Sequence, residues 1–171
     1  MALEIERLSP EHDRGGFDCG SEPLNRYLKE TVRQHGERGI SRTFVLVDDT
    51  SARPRPILGF YTVSLCQVTG DNLPPAIAKR LPRALGGIKL GRLAIAKAHQ
   101  RKGYGAVLLA DAFKKCIEVS GQAGGIGLFV DAKDDAAKAY YGRFGFVSLS
   151  HDPLQMFLPM ETIIRELEDR T

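Results

Sequence analysis

Residues 91–106, Gly-Arg-Leu-Ala-Ile-Ala-Lys-Ala-His-Gln-Arg-Lys-Gly-Tyr-Gly-Ala, decide the fold of this chain. The segment Leu93–Ile95 is apolar and predicts a strand, and the segment Gln100–Lys102 is a basic loop. Gly103 and Gly105 then open a helix. The first N–H groups of a helix have no partner within it and carry positive potential, and glycine leaves room for oxygen atoms beside the backbone. The stretch therefore predicts a site that binds phosphate.

Two common phosphate-binding motifs are excluded by the residues around these glycines. A dinucleotide fingerprint needs Gly-x-Gly-x-x-Gly or Ala, whereas Leu108 stands at the last position here. Residues 86–91 have the glycine spacing of a Walker A loop but lack its Lys-Ser or Lys-Thr ending. The remaining pattern is Gln100-x-x-Gly103-x-Gly105 at a strand-to-helix turn, and a helix that only needs glycine at its start also satisfies it.

The composition sets broad limits on the class of protein. The chain has 171 residues, of which 43% are hydrophobic and 26% charged, and this predicts one soluble globular domain over residues 1–171. No apolar run approaches the about 20 residues of a membrane helix, and the first residues lack the apolar core of a signal peptide. Cys19, Cys66 and Cys116 are far apart and the four histidines are scattered, so we expect no disulfide framework, no metal site and a cytoplasmic location.

Basic residues are concentrated in one part of the chain. Residues 72–110 contain eight lysines and arginines and no acidic residue, so the rest of the chain carries a net charge of −5 against +3 for the whole. A phosphate-bearing ligand at the loop accounts for Arg101 and Lys102. It leaves Lys79, Arg80, Arg83 and Arg92 without an assignment, and these residues either contact a second polyanion or are solvated surface charges.

The hydrophobic pattern gives the order of the elements. The strand-helix-strand unit over residues 89–131 predicts a parallel pair, whereas the neighbouring strands at residues 43–47 and 57–68 predict an antiparallel one. The result is an α+β fold with a sheet that is antiparallel at first and parallel around the phosphate loop. Further strands are predicted at residues 3–8, 146–149 and 155–158, and helices at residues 24–37, 73–81, 103–120, 136–142 and 161–169.

A second informative stretch, residues 134–146, is a helix that ends in Tyr141-x-x-x-Gly145-Phe146. This motif, the Gln100-x-x-Gly103-x-Gly105 loop and the order of elements together resemble the GCN5-related N-acetyltransferase (GNAT) superfamily, which uses acetyl-coenzyme A. The resemblance implies a mixed α+β GNAT fold with a central sheet of six or seven strands flanked by helices. It also implies that two parallel strands splay after Leu93–Ile95, where the pantetheine arm of the cofactor pairs with the strand.

The same resemblance implies the residues of the active site. Tyr141 is expected to protonate or stabilise the thiolate that leaves when an amine attacks the thioester, and packing at a helix end is the structural alternative. Asp134 departs from the family, which commonly has Asn there, so its contact with the cofactor lacks an amide donor. The implied cofactor-binding residues are Leu93, Ala94, Ile95, Gln100, Arg101, Lys102, Gly103, Tyr104, Gly105, Ala106, Asp134 and Ala137.

The chemistry of the acceptor is constrained by the missing carboxylates. The attacking amine must be neutral, and no Asp or Glu in residues 72–110 can act as its base, which leaves Asp131, Asp134 or a more distant Glu. An α-amine has a pKa of about 7.7–8.0 and needs less help than a lysine with a pKa of about 10.4. We therefore expect an α-amine that is attached to a polyanion.

The chain as a whole resembles the acetyltransferase toxins of type II toxin–antitoxin systems, which acetylate the aminoacyl group of charged tRNA and inhibit translation. By this resemblance, Arg80, Arg83 and Arg92 contact the acceptor stem of tRNA, and the protein partners are a ribbon-helix-helix antitoxin and a second copy of the chain. The resemblance is carried by residues 17–20, 24–28, 60–64, 81–83, 90–95, 130–134 and 157–160.

Two alternatives remain at this point. The first is an acetyltransferase of small-molecule amines or protein N-termini, but a cationic substrate predicts an acidic cleft that the sequence does not show. The second is a non-catalytic protein that binds acyl-coenzyme A, and the presence of Tyr141 beside an intact loop argues against it.

Overall fold

A computed structural model describes residues 1–170, and its central feature is a mixed sheet of seven strands. The strands of this sheet are β1 (Leu3–Arg7), β3 (Arg42–Asp48), β5 (Gly59–Thr69), β6 (Ala84–Ile95), β7 (Gly127–Asp131), β8 (Val147–Ser148) and β9 (Gln155–Pro159). Their order is β1-β3-β5-β6-β7-β9-β8. A separate pair of short parallel strands consists of β2 (His12–Asp13) and β4 (Arg55–Pro56).

The helices follow the predicted order. They are α1 (Glu22–Arg26), α2 (Val32–Glu37), α3 (Pro75–Ala78), α4 (Tyr104–Ala123), α5 (Asp135–Gly142) and α6 (Met160–Arg170). One continuous helix was expected over residues 24–37, but a π-helical turn, Tyr27–Thr31, separates α1 from α2. No helix within residues 1–170 combines the length and the apolar character that crossing a membrane requires.

The pairing of the strands agrees with the predicted directions. β3 and β5 are antiparallel, with Thr43 opposite Thr62, and β6 and β7 are parallel. The β6–β7 register covers Ile88 to Leu90, while β6 itself continues to Ile95, so this pairing ends earlier than the expected point after Ile95. β6 also begins at Ala84, five residues before the predicted start. Gly87 lies in this early part of the strand and packs closely against the ring of Phe129. A glycine adds no apolar side chain to the sequence pattern, so the pattern did not indicate a strand there.

The chain divides into two compact units. The first comprises residues 1–64 and 91–112, and its core is built from Tyr27, Leu28, Val45 and Phe60, among others. The second comprises residues 65–90 and the chain from residue 113 onward, and its core includes Leu73, Leu85, Phe129 and Phe157. The expectation of a single domain over residues 1–171 remains a prediction.

Candidate functional site

The loop after β6 has an uncommon backbone. Arg101 has φ = 64° and Gly103 has φ = 81°, and the left-handed region is sparsely populated by residues other than glycine. A Cβ atom on Gly103 would meet no atom within 4 Å, so the backbone is open to a ligand there. α4 begins directly afterwards, and its first turn contains no acidic residue. The first N–H groups of a helix have no partner within it, so this turn has the general character of a phosphate-binding helix start.

Gln100 supports this loop from within the protein. Its Nε2 atom donates to the carbonyl oxygens of Cys19 and Ile95, each at 3.0 Å. Both amide N–H donors therefore have protein acceptors, and the remaining oxygen is an acceptor that does not attract phosphate. These two hydrogen bonds hold the end of β6 and the following loop together, and the assignment of Gln100 to cofactor binding stays a prediction.

One of the two carbonyl groups that Gln100 binds, that of Cys19, belongs to a residue held by a polar cluster in which Asn25 is buried and Asp18 is exposed. The backbone N–H of Cys19 donates to Oδ1 of Asn25 at 2.9 Å, and Nδ2 of Asn25 donates to Oδ1 of Asp18 at 3.0 Å. The backbone N–H of Gly20 also donates to Asp18, and this hydrogen bond, followed by that from Asn25, lowers the pKa of the Asp18 carboxyl. Sequence reasoning assigned no role to this cluster, although a polar Asn25 beside the core-facing Tyr27 and Leu28 was an available signal.

The remaining residues of the predicted loop lie at its exposed edge or in the first turn of α4. Arg101 and Lys102 are exposed, and Nζ of Lys102 lies 3.4 Å from Nδ1 of His99. The ring of Tyr104 stacks on His99 at a centroid distance of 6.2 Å, and its hydroxyl donates to the sulfur of Met1 at 3.5 Å. Gly105 and Ala106 follow in the helix and are half-buried. The positive charges of Arg101 and Lys102 therefore lie next in sequence to the first N–H groups of α4.

The segment Leu93–Ile95 of β6 is held closely by its neighbours. Ala94 is buried in the core of the first unit. A Cβ on Gly59 would lie 2.9 Å from the carbonyl oxygen of Ala94 and 2.7 Å from Cδ1 of Ile95, so only glycine allows this approach. The backbone of the segment is therefore rigidly positioned.

Tyr141 lies near the end of α5 in the second unit. Its ring makes edge-to-face contacts with Tyr140 and Phe146 at centroid distances of 5.5 and 5.4 Å. Burial raises the pKa of Tyr141 to about 12, with a smaller contribution from Tyr140. Within residues 1–170 the structure gives its hydroxyl no hydrogen-bond partner. The side chain is thus a protonated donor at neutral pH, which is what a leaving thiolate requires.

Asp134 and Ala137, both predicted to bind the cofactor, contact each other at the start of α5. Oδ1 of Asp134 accepts a hydrogen bond from the backbone N–H of Ala137 at 2.8 Å, and Asp134 is the N-cap of the helix. Asp and Asn are equally good N-caps. The departure from the family's Asn therefore preserves the start of the helix.

Asp131, a candidate base, is engaged by a lysine. Its Oδ2 atom lies 2.7 Å from Nζ of Lys89, and both side chains are partly exposed. The Asp131 carboxylate therefore has a cationic partner within the second unit. With Asp134 used as a cap, both carboxylates singled out in the sequence have structural partners.

The three arginines predicted to bind tRNA differ in their surroundings. Arg80 and Arg83 are exposed in the second unit, between α3 and the start of β6. Arg92 belongs to the first unit and is half-buried, and its guanidinium carbon lies 3.7 Å from the centroid of the Tyr27 ring. Arg80 and Arg83 are therefore free to follow a flexible ligand, whereas Arg92 is fixed. Within residues 1–170 no group of three or more His, Cys, Asp or Glu is arranged to hold a metal ion.

Comparison with known proteins gives consistent results. The model of the acetyltransferase (GNAT) family matches residues 11–146. The tRNA-acetylating toxin of Mycobacterium tuberculosis is 30% identical over 155 residues, which cover 91% of this chain and 90% of that protein.

Two solved structures of the toxin AtaT are also similar. AtaT complexed with acetyl-methionyl-tRNAfMet has a TM-score of 0.88 and 32% identity, and the match covers 95% of this chain and 98% of that one. A Tyr-to-Phe variant of AtaT, bound to the C-terminus of the antitoxin AtaR and acetyl-CoA, has a TM-score of 0.79 and 30% identity, with 95% and 96% of the two chains covered. Both the family match and these likenesses extend over most of the sequence, and the chain belongs to the GNAT family of acetyltransferases.

Proposed function

We propose that this protein transfers the acetyl group of acetyl-CoA to the α-amine of aminoacyl-tRNA and so inhibits translation, as the toxin of a toxin–antitoxin pair. The observation that carries the proposal is the similarity, over 95% of the chain, to AtaT in complex with an acetylated aminoacyl-tRNA. The similarity to a tRNA-acetylating toxin over 91% of the chain supports it independently.

Acetyl-CoA supplies the acetyl thioester in this reaction. The N–H groups of Gly103, Tyr104, Gly105 and Ala106 bind its pyrophosphate, because they lie at the open, cationic start of a 20-residue helix. Arg101 and Lys102 add positive charge beside them. The backbone of Leu93–Ile95 binds the extended arm, and Gln100 contributes by holding the loop in shape.

Tyr141 acts on the leaving group. Because burial raises its pKa to about 12, the hydroxyl stays protonated at physiological pH and donates to the sulfur as the thioester breaks. The α-amine of the acceptor has a pKa of about 7.7–8.0, so a large fraction is neutral without a dedicated base. A reaction without a dedicated base agrees with the structure of the two candidate bases, because Asp131 forms an ion pair with Lys89 and Asp134 accepts a hydrogen bond from Ala137.

The nucleic-acid part of the substrate is bound through its phosphates. Arg80 and Arg83 are exposed, and they contribute sequence-independent contacts to the acceptor stem, with Arg92 as a third contact. The segment with eight basic residues and no acidic one supplies the attractive charge. Charged tRNA places the reaction in the cytoplasm.

Two protein partners belong to the proposal. An antitoxin blocks the toxin, as suggested by the AtaT structure with the C-terminus of its antitoxin. The resemblance in sequence adds that this antitoxin is of the ribbon-helix-helix class and that the toxin forms a homodimer. Size-exclusion chromatography with light scattering tests the dimer directly.

The decisive experiment is transfer of radiolabelled acetyl from acetyl-CoA to total charged tRNA. Label should enter charged tRNA and be absent from the same tRNA after deacylation, because only the charged form carries an α-amine. Equal labelling of both samples, or no labelling by a protein that binds acetyl-CoA, would contradict the proposed substrate.

A further inference from the structure

Arg92 is a half-buried cation whose N–H donors have no acceptor within residues 1–170. Two other half-buried arginines of the first unit, Arg42 and Arg55, are satisfied by the protein, whereas Arg14, which is also half-buried, has no side-chain partner within residues 1–170. Arg55 donates to both carboxylate oxygens of Glu6 at 3.1 Å, and Arg42 donates to the carbonyl oxygens of Gly36 and Ser41. The guanidinium nitrogens of Arg92 are not among the buried atoms that lack a partner within residues 1–170, so they are accessible and a ligand can reach these unused donors.

Tyr27 supports this guanidinium from one side, because the guanidinium carbon lies 3.7 Å from the centroid of its ring. The Tyr27 residue is 4% exposed, and its ring stacks on Phe60 at 6.3 Å and meets the edge of His35 at 5.9 Å. Tyr27 lies in the π-helical turn between α1 and α2, and π-helical turns are rare overall but common at functional sites. A well-packed ring in contact with the cation limits where the N–H donors of Arg92 can lie.

The position of Arg92 identifies which part of the substrate it meets. It directly precedes Leu93–Ile95, the segment of β6 assigned to the cofactor arm under the proposed function, on which this inference rests. A ligand of Arg92 therefore lies near the reacting end of the substrate. The planar fork of donors matches phosphate in a bidentate manner, which a lysine cannot reproduce. The phosphate nearest to an aminoacyl ester in charged tRNA is the one that precedes the 3′-terminal nucleoside.

We propose that Arg92, oriented by Tyr27, binds this terminal phosphate and thereby sets how far the aminoacyl end of the RNA enters the site. Arg92 is a specificity-determining residue that favours amines carried on an RNA end over free amines. Its role differs from that proposed for Arg80 and Arg83, which are exposed.

Two substrates test the assignment because they differ in this phosphate. One is an aminoacylated acceptor-stem minihelix, and the other is an aminoacyl-adenosine ester, which has the same α-amine and no phosphate. We expect Arg92→Lys to raise KM for the minihelix about tenfold, the cost of one charge-assisted contact, and to leave kcat/KM for the ester unchanged. Fluorescence anisotropy with uncharged minihelix, without cofactor, should show the same loss of affinity.

Changes at Tyr27 provide matched controls. Tyr27→Leu removes the ring and should reproduce the minihelix defect, whereas Tyr27→Phe keeps the ring and removes only a buried hydroxyl that has no partner, so it should behave as wild type. Arg38→Lys replaces an exposed arginine of the same unit and shows the effect of an arginine-to-lysine change away from Tyr27. Thermal unfolding identifies any variant that fails to fold.

Three outcomes would overturn the inference: an unchanged minihelix KM in Arg92→Lys, an equal loss on both substrates, or a defect in Tyr27→Phe as large as in Tyr27→Leu. The proposed function is judged separately, since it fails if the wild-type protein acetylates neither substrate. In that case the anisotropy comparison of wild type with Arg92→Lys still decides whether Arg92 binds the RNA end.

Discussion

At the scale of single residues, the proposed role of Tyr141 in the chemistry leads to the most direct test. Its aromatic neighbours hold the ring, so replacing it with Phe keeps the packing and removes only the hydroxyl. We expect Tyr141→Phe to lower kcat by about 10²-fold or more, the usual contribution of a positioned acid, and to leave the Kd for acetyl-CoA unchanged. Steady-state kinetics and calorimetry measure the two quantities. A variant with wild-type turnover would assign Tyr141 to packing alone.

The raised pKa of Tyr141 also predicts the shape of the pH profile. With a pKa of about 12, the hydroxyl remains protonated throughout the range in which the acceptor amine titrates. We expect kcat/KM to rise through a pKa of about 8, as the α-amine loses its proton, and then to stay level up to pH of about 10. A fall centred near pH 10, where a solvent-exposed tyrosine ionises, would contradict the effect of burial. Tyr141→Phe should keep the rise.

The same pKa shift has a consequence for stability. The folded state holds the Tyr141 proton more tightly than the unfolded chain, whose tyrosine ionises at a pKa of about 10. This contribution to stability is present in full below pH of about 10. It is lost as the pH rises from there toward the folded pKa of about 12.

Arg101 combines a strained backbone with a charge that serves the ligand. A left-handed conformation costs a residue other than glycine about 1 kcal/mol. Glycine relieves this strain but also makes the unfolded chain more flexible, which offsets part of the gain. Arg101→Gly should therefore raise the free energy of unfolding by about 0.5 kcal/mol. The same change removes a positive charge and should weaken the binding of acetyl-CoA. Urea unfolding and calorimetry measure these opposite effects.

Lys102→Gly is the matched control for this prediction. Lys102 is also exposed and cationic, but its φ is not in the left-handed region, so the change removes charge without relieving strain. Both cofactor binding and stability should then decrease. Equal stability changes in the two variants would show that the conformation of Arg101 stores no strain.

At the scale of elements, a buried hydrogen bond between two hydroxyl groups connects β3 and β5. Oγ1 of Thr43 and Oγ1 of Thr62 lie 2.7 Å apart at directly opposed positions of the register. Thr43→Val leaves the hydroxyl of Thr62 buried without a partner and should cost about 2 kcal/mol of unfolding free energy. The double variant Thr43→Val/Thr62→Val should regain most of this loss, because no polar atom is then stranded. Chemical denaturation of the three variants tests the coupling, and additive losses would argue against it.

The elements themselves were largely predictable, and their interruptions were not. Strand alternation and helical spacing are local properties, so β3, β7, α5 and β9 lie within one residue of their predicted bounds. The π-helical turn at Tyr27–Thr31 and the early start of β6 at Ala84 depend on packing with distant residues, such as Phe60 against Tyr27 and Phe129 against Gly87. Periodicity alone carries no signal for such contacts.

At the scale of the whole molecule, the distribution of charge bears on the proposed binding of RNA. The chain has a net charge of +3, but residues 72–110 contribute only positive charge. Each phosphate contact that is lost reduces the slope of log K against log salt by about 0.9 for a duplex. We expect Arg80→Ala and Arg83→Ala each to lower the slope for minihelix binding by about this amount without changing which charged tRNAs are acetylated. An unchanged slope would remove the residue from the interface.

The sequence by itself determined the family, and it predicted the phosphate loop and the catalytic tyrosine. These two predictions rest on short motifs, one that includes Gly103 and one that includes Tyr141 near the end of a helix. Only the tertiary structure decided how the other polar side chains are used. Gln100 binds the Cys19 carbonyl 81 positions away, and Arg92 rests on Tyr27. The physical reason is that the hydrogen-bond partner or stacking partner of a side chain is set by which distant segments the core brings together, and no local pattern specifies that choice.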